Sequence, residues 1–272
     1  MFSLLSYPFF QLALAGVAII SVAAAIIGTY IIARRMAALA GGVTHACFGG
    51  LGLGYFLGIS PVAMAAVFAI GSSLAVEWLE KRLHVRSDSA IAVIWALGMA
   101  VGVLFVFMSP GYVPELNAFL FGNILTINAS DIAIFAAYTL VLGAFFVWRY
   151  REIVACAFDR DFARVSDIPV RFISVTMTVM VALCIVLTIR LVGIMLLMSM
   201  LSLPMMIAEI WSHNFGRLMA VSAAVSLVSC TTGLFVAAMV DIPASAIIVL
   251  ILAGVYIVAR AIHALRPSAR AL

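Results

Sequence analysis

Charge is scarce in this sequence. Lys, Arg, Asp and Glu together make 10% of its 272 residues, against about 25% in an average soluble domain. The few charges fall in clusters with uncharged apolar runs between them, and that pattern excludes a soluble domain. Regular apolar–polar alternation is also lacking, so a membrane barrel is excluded and helices remain the spanning solution. The four cysteines, Cys47, Cys156, Cys184 and Cys230, show no CxxC and no paired spacing. Neither a disulfide framework nor a zinc knuckle is indicated, and three of the four read as small core residues. No GxxxxGK[ST] phosphate loop is present, so nucleotide hydrolysis belongs to another polypeptide; no HExxH and no nucleophile–base pair indicate an intramembrane enzyme. No basic stretch precedes the apolar run that begins within MFSLLSYPFF, so the first run reads as a retained helix and not a cleaved signal.

What is present is apolar: 67% of residues are hydrophobic. About 20 such residues in a row cross the roughly 30 Å hydrocarbon layer as a helix. The expected fold class is all-α, a polytopic transmembrane helix bundle of about eight or nine spans in a single domain over residues 1–272. Punctuation at charges and at Gly/Pro turns places spans near Pro8–Ala33, then two between Met36 and Val76 separated at Gly58-Ile59-Ser60-Pro61. Further spans fall near Ser89–Met108, Ile132–Trp148, Phe172–Ile189, Leu191–Ala208, Leu218–Val240 and Ala244–Ala259. The half-apolar stretch Ser109–Ser130 reads as a re-entrant or surface helix, and one crossing more or fewer there would change the parity. With the first helix starting outside, fourteen of the fifteen basic residues fall inside and Arg190 alone falls outside. The N-terminus is therefore expected outside and the C-terminus inside. The net charge of +4 reflects this distribution and does not point to nucleic acid.

The longest polar stretch, about 149–171, lies on the inner side. Within it Phe158–Pro169 reads as a short helix with both ends marked. Asp159 caps the start and Asp161 complements the dipole there. Asp167 stands where a left-handed residue closes the helix, and Pro169 prevents its continuation. Phe158, Phe162 and Val165 share one face. Two readings stay open, an amphipathic connector lying on the membrane or a knob inserted into a cleft of a cytoplasmic partner.

A series of short motifs then carries a resemblance. Arg34-Arg35-Met36-Ala37-Ala38-Leu39 leads into Thr44-His45-Ala46, a basic pair before a serine- or threonine-His-Ala motif. Asp88-Ser89-Ala90-Ile91-Ala92, Leu120-Phe121-Gly122-Asn123-Ile124-Leu125, Phe158-Asp159 through Ile168, Val192-Gly193-Ile194-Met195-Leu196-Leu197 before Leu203-Pro204, and Asp241-Ile242-Pro243-Ala244 follow in order. In this order and spacing the chain resembles the ABC-3 metal-ion permeases, the membrane subunits of bacterial zinc, manganese and iron uptake systems. The resemblance implies an ABC-importer permease in the bacterial cytoplasmic (inner) membrane. It implies a second permease copy (identical or related), two cytoplasmic ATPase subunits that carry the ATP, and an extracytoplasmic metal-binding protein. It gives the inner segment a coupling role, through Phe158, Asp159, Phe162, Ala163 and Asp167. The family commonly has an acidic residue four positions before the histidine, where this chain has Gly41, and usually glycine where Asp167 stands.

His45 is the one ionisable side chain deep in the second and third spans. An ionisable group in hydrocarbon normally faces a cavity or a partner, and imidazole ligates zinc and other borderline metals. The alternative is a neutral histidine hydrogen-bonded to a neighbouring helix. Without a carboxylate beside it, the site favours zinc over manganese as the transported metal; no cofactor resident on the chain is implied. The glycines of 41–54 read first as close helix packing. Weaker pathway candidates are Glu209 and His213, four apart and expected on one helix face, and Asp241, which together with Arg190 lies toward the outer surface as a pair, a docking contact or two solvated ends. The methionines Met195, Met198, Met200, Met205 and Met206 offer thioethers, though core filling is their commoner use. Two rival functions are a stand-alone secondary metal transporter, which would want paired intramembrane carboxylates or lysines that are scarce here, and an importer of a larger chelate such as haem.

Overall fold

A computed structural model describes residues 6–109, 122, 124 and 127–265. Among them ten helices follow one another: α1 (Pro8–Ala33), α2 (Ala37–Leu57), α3 (Pro61–Leu83), α4 (Ser87–Met108), α5 (Ala129–Trp148), α6 (Tyr150–Phe158), α7 (Arg160–Val165), α8 (Val170–Glu209), α9 (Phe215–Val240) and α10 (Ala244–Leu265). Eight are long and apolar enough to cross a bilayer, all but α6 and α7. Of the motif Leu120–Leu125 only Gly122 and Ile124 are described, and most of Ser109–Ser130 lies outside the described residues.

The helix ends follow from local chemistry. Pro8 and Pro61 open α1 and α3, where a missing N–H costs nothing. Ser60 caps α3 by accepting from the Ala63 amide, and Gly58 closes α2 in the left-handed conformation at φ 68°. Asn128 and Asn214 cap α5 and α9 through their side-chain oxygens.

α8 runs for 40 residues, about 60 Å at 1.5 Å per residue, twice what a bilayer needs. It is broken at Gly193, with φ 76° and ψ 172°, a region open essentially to glycine alone. The contacts show that the chain reverses there. Tyr138 of α5 donates a hydrogen bond to the Met180 carbonyl at 2.7 Å, Arg190 pairs with Asp131 at the start of α5, and Phe172 meets Phe145 near its end. The first arm of α8 is therefore antiparallel to α5. The second arm runs parallel to α1: Leu201 packs on Gly28, and Met205 and Ala208 lie against Ile32. Among the described residues eight helices thus make nine passes, because two spans expected from the sequence share one helix with a hairpin bend. Gly122, itself at φ 63°, backs onto Val192 and Gly193 so closely that a Cβ would collide with their backbone.

Paired contacts fix the remaining directions. Phe10 meets Phe235 and Ser21 meets Ser226, so α1 and α9 are antiparallel; Gly54 meets Pro61 and Gly50 meets Met64, so α2 and α3 are too. All described cationic side chains except Arg190 consequently gather at one end of the bundle, called the basic end below.

Candidate functional site

The basic end carries the inner polar segment. α6 ends at Phe158; Asp159 then accepts from the Asp161 and Phe162 amides at 3.0 and 2.9 Å and starts α7. Asp167 follows at φ 56°, and Pro169 is the N-cap residue of α8. Both ends are marked as the sequence indicates. Phe162 and Val165 are 62% and 86% exposed, large apolar side chains held out from the bundle. Phe158 is equally exposed but touches Phe215 edge-on. Ala163 departs from the expectation of a contact residue: it is fully buried, on the inward face where α7 sits against the protein.

Beneath α7 lies a group that the sequence reading passed over. Glu77, near the end of α3, is 6% exposed. Its carboxylate accepts from Lys81 at 2.6 Å and from Thr178 at 3.2 Å, and also from the Ser174 hydroxyl. Arg160, the first residue of α7, stands 3.9 Å from the same carboxylate and 3.3 Å from the Ser174 hydroxyl. One buried anion therefore joins α3, the foot of α8 and α7. The sequence signal was an acid four residues before a lysine; the uncharged run was read as ending at Val76, which left Glu77 just beyond it. Behind α6, burial pushes the Cys156 thiol above its usual range, with the Glu152 carboxylate adding to the effect and Arg34 opposing it.

The second group lies on α2. His45 is half-buried and its ring lies flat on the Trp95 indole of α4, centroids 4.4 Å apart and planes 3° from parallel. Among the described residues no hydrogen bond reaches its nitrogens, so a structural role through hydrogen bonding to a neighbouring helix finds no support. The glycines around it serve packing. Gly42 meets Ile91, Gly49 the Gly98 carbonyl, Gly50 the backbone of Met64 and Ala65, and Gly52 the backbone of Gly102. This closeness of α2 to α3 and α4 is what small residues permit in a membrane. On the His45 side one turn earlier, Gly41 faces the Met198 thioether, whose methyl a Cβ would meet at 2.7 Å.

Other candidates are not brought together. α8 stops at Glu209, and His213 stands beyond it in the connection to α9, so the two do not share a helix face; Asn214 has to leave the helix in order to cap α9. Arg190 pairs with Asp131 at 2.9 Å and not with Asp241, which closes α9 in the left-handed conformation. Met200 and Met205 are buried. All four cysteines are free and buried. Among the described residues no group of three or more His, Cys, Asp or Glu could hold a metal.

Comparison with known proteins gives concordant results. Residues 6–263 match the ABC 3 transport family. An uncharacterized membrane protein of Synechocystis is 32% identical over 257 residues, covering 94% of this chain and 92% of the relative. The manganese transport system membrane protein MntC of Halalkalibacterium halodurans is 26% identical over 94% of this chain and 88% of its own. Among solved structures, PsaBC from Streptococcus pneumoniae in complex with Fab shares the fold, with a TM-score of 0.83 at 23% identity over 94% of this chain and 92% of that one.

Proposed function

This chain belongs to the ABC 3 transport family, and on that premise we propose that it is the pore subunit of an ATP-driven importer of divalent transition-metal ions. The metal arrives from an extracytoplasmic binding protein, and ATP is hydrolysed by separate subunits docked at the basic end, one per permease copy of a dimer. That end is the cytoplasmic face of a bacterial inner membrane, by the bias of lysine and arginine, with the N-terminus outside and the C-terminus inside.

The observation that carries this reading is the outward-facing helix α7. Phe162 and Val165 project from it at the basic end, while Arg160 at its first turn is tied to Glu77 between α3 and α8. A side chain held by a partner on one side and wired to spanning helices on the other can pass a push from one to the other. Asp159, Asp167 and buried Ala163 shape and seat this helix; Phe158 and Phe162 meet the partner.

His45 is the proposed transit ligand, with its nitrogens unclaimed by described protein groups. Two copies would supply a pair. With Gly41 one turn before it and Met198 alongside, the wall is poor in hard oxygens, which favours zinc over manganese, although MntC is named for manganese. Glu209, His213 and Asp241 are left as surface groups along the route.

The test is Phe162→Asp in the assembled transporter. Loss of metal-stimulated ATP hydrolysis with the membrane part still folded supports the coupling role. Undiminished stimulation would refute it.

A further inference from the structure

Beside the Glu77 cluster, a cleft of 450 Å³ opens between α3 and the first arm of α8. Its walls are Leu74, Trp78 and Val175, and its rim carries Arg82, Arg164 and Arg171. The single carboxylate lining it, Glu77, is already taken by Lys81, Ser174 and Thr178, so it does not neutralise the rim. Arg164 shares exposed Asp161 at 2.7 Å. Arg82 and Arg171 face no carboxylate at ion-pair distance among the described residues. A second hollow of 900 Å³, lined by Phe172 and Thr176, shares Arg164, Arg171 and Val175 with the first. Cations thus stand where two largely apolar hollows meet.

Leu74, Val175 and Thr176 belong to the spanning parts of α3 and α8, and Trp78, 55% exposed, has the place of an interfacial anchor. An occupant must be anionic at the rim and apolar below it. A soluble protein does not reach the apolar part, and a free anion does not fill it. We infer that this cleft is a binding site for an anionic phospholipid of the inner leaflet, its phosphate on Arg82, Arg164 and Arg171 and its chains along Leu74 and Val175. Basic hollows between helices at a cytoplasmic membrane face favour such headgroups. Because Arg164 lies on α7, the lipid joins that helix to α3 and α8, so its presence stiffens the same link that Glu77 makes.

The test is native mass spectrometry of the purified full chain titrated with phosphatidylglycerol, phosphatidylcholine or inorganic phosphate. The inference expects phosphatidylglycerol to bind saturably in preference to phosphatidylcholine, with inorganic phosphate failing to displace it. The double variant Arg82→Gln/Arg171→Gln should bind it about 30-fold more weakly, at roughly fivefold per cation removed. Arg82→Lys/Arg171→Lys, which keeps the charge, should bind as the parent does, showing that the cleft is intact. Equal retention of both lipids, displacement by phosphate alone, or unchanged binding in the glutamine variant would each overturn the site.

Discussion

Replacing Glu77 by alanine removes the one acceptor shared by Lys81, Ser174 and Thr178. The Glu77 side chain is 8% exposed and that of Lys81 35%, so the loss is unequal. Lysine turns back to water, while Ser174 and Thr178, both nearly buried, keep hydroxyls with no carboxylate to meet. Removing one partner of a buried pair costs about 3–5 kcal/mol; because Lys81 is rehydrated, the lower end, about 3 kcal/mol, is expected. Glu77→Gln keeps the shape and an acceptor oxygen but not the charge, and should cost about 1–2 kcal/mol. Reversible unfolding in mixed micelles measures both. The functional consequence separates from stability in the glutamine variant: Arg160 loses its anion, so ATP hydrolysis by the complex should persist while its stimulation by metal-loaded binding protein falls. An alanine variant within about 0.5 kcal/mol of the parent, a size ordinary for surface changes, with full stimulation, would show that Glu77 holds nothing together.

Further outcomes follow from the same geometry. Gly193→Ala forces a side chain onto a backbone at φ 76°, ψ 172°, and should destabilise the protein by about 1–3 kcal/mol, read by unfolding; a neutral effect would contradict the reversal at that residue. Asp159→Ala removes the cap on the Asp161 and Phe162 amides, about 1 kcal/mol, so amides of α7 should exchange hydrogen roughly five times faster, and unchanged exchange would count against the cap. His45→Ala should impair zinc uptake in cells with assembly intact; normal uptake would leave the imidazole with a packing role against Trp95. The Cys156 thiol, raised by burial and by Glu152, stays protonated through neutral pH, so its alkylation should be slow at pH 7 and accelerate only as pH rises above the ordinary thiol range. Rapid reaction at pH 7 would contradict that environment.

Much of this architecture was legible in the sequence because membrane helices announce themselves by length and by where charge interrupts them. α1 begins and ends at the residues read from its flanks, and Gly58 to Pro61 divides α2 from α3 as expected. The helix α7 was legible for a different reason: Asp159, Asp167 and Pro169 are local signals that need no tertiary partner. What was hidden depended on such partners. Glu77 did not stand out because the sequence does not show that Ser174 and Thr178 come to meet it. Asp131 was not foreseen as the partner of Arg190, nor the end of α8 that separates Glu209 from His213. The glycines of α2 read first as close packing, and Ile91, Gly98 and Gly102 lie against them as that reading expects.

The most direct measurement places the chain in sealed vesicles, alone and together with an ATPase subunit and a metal-loaded binding protein. The account predicts zinc accumulation on addition of ATP in the complete system and none by the chain alone under a proton or sodium gradient. Accumulation by the chain alone, driven by either gradient, would contradict it.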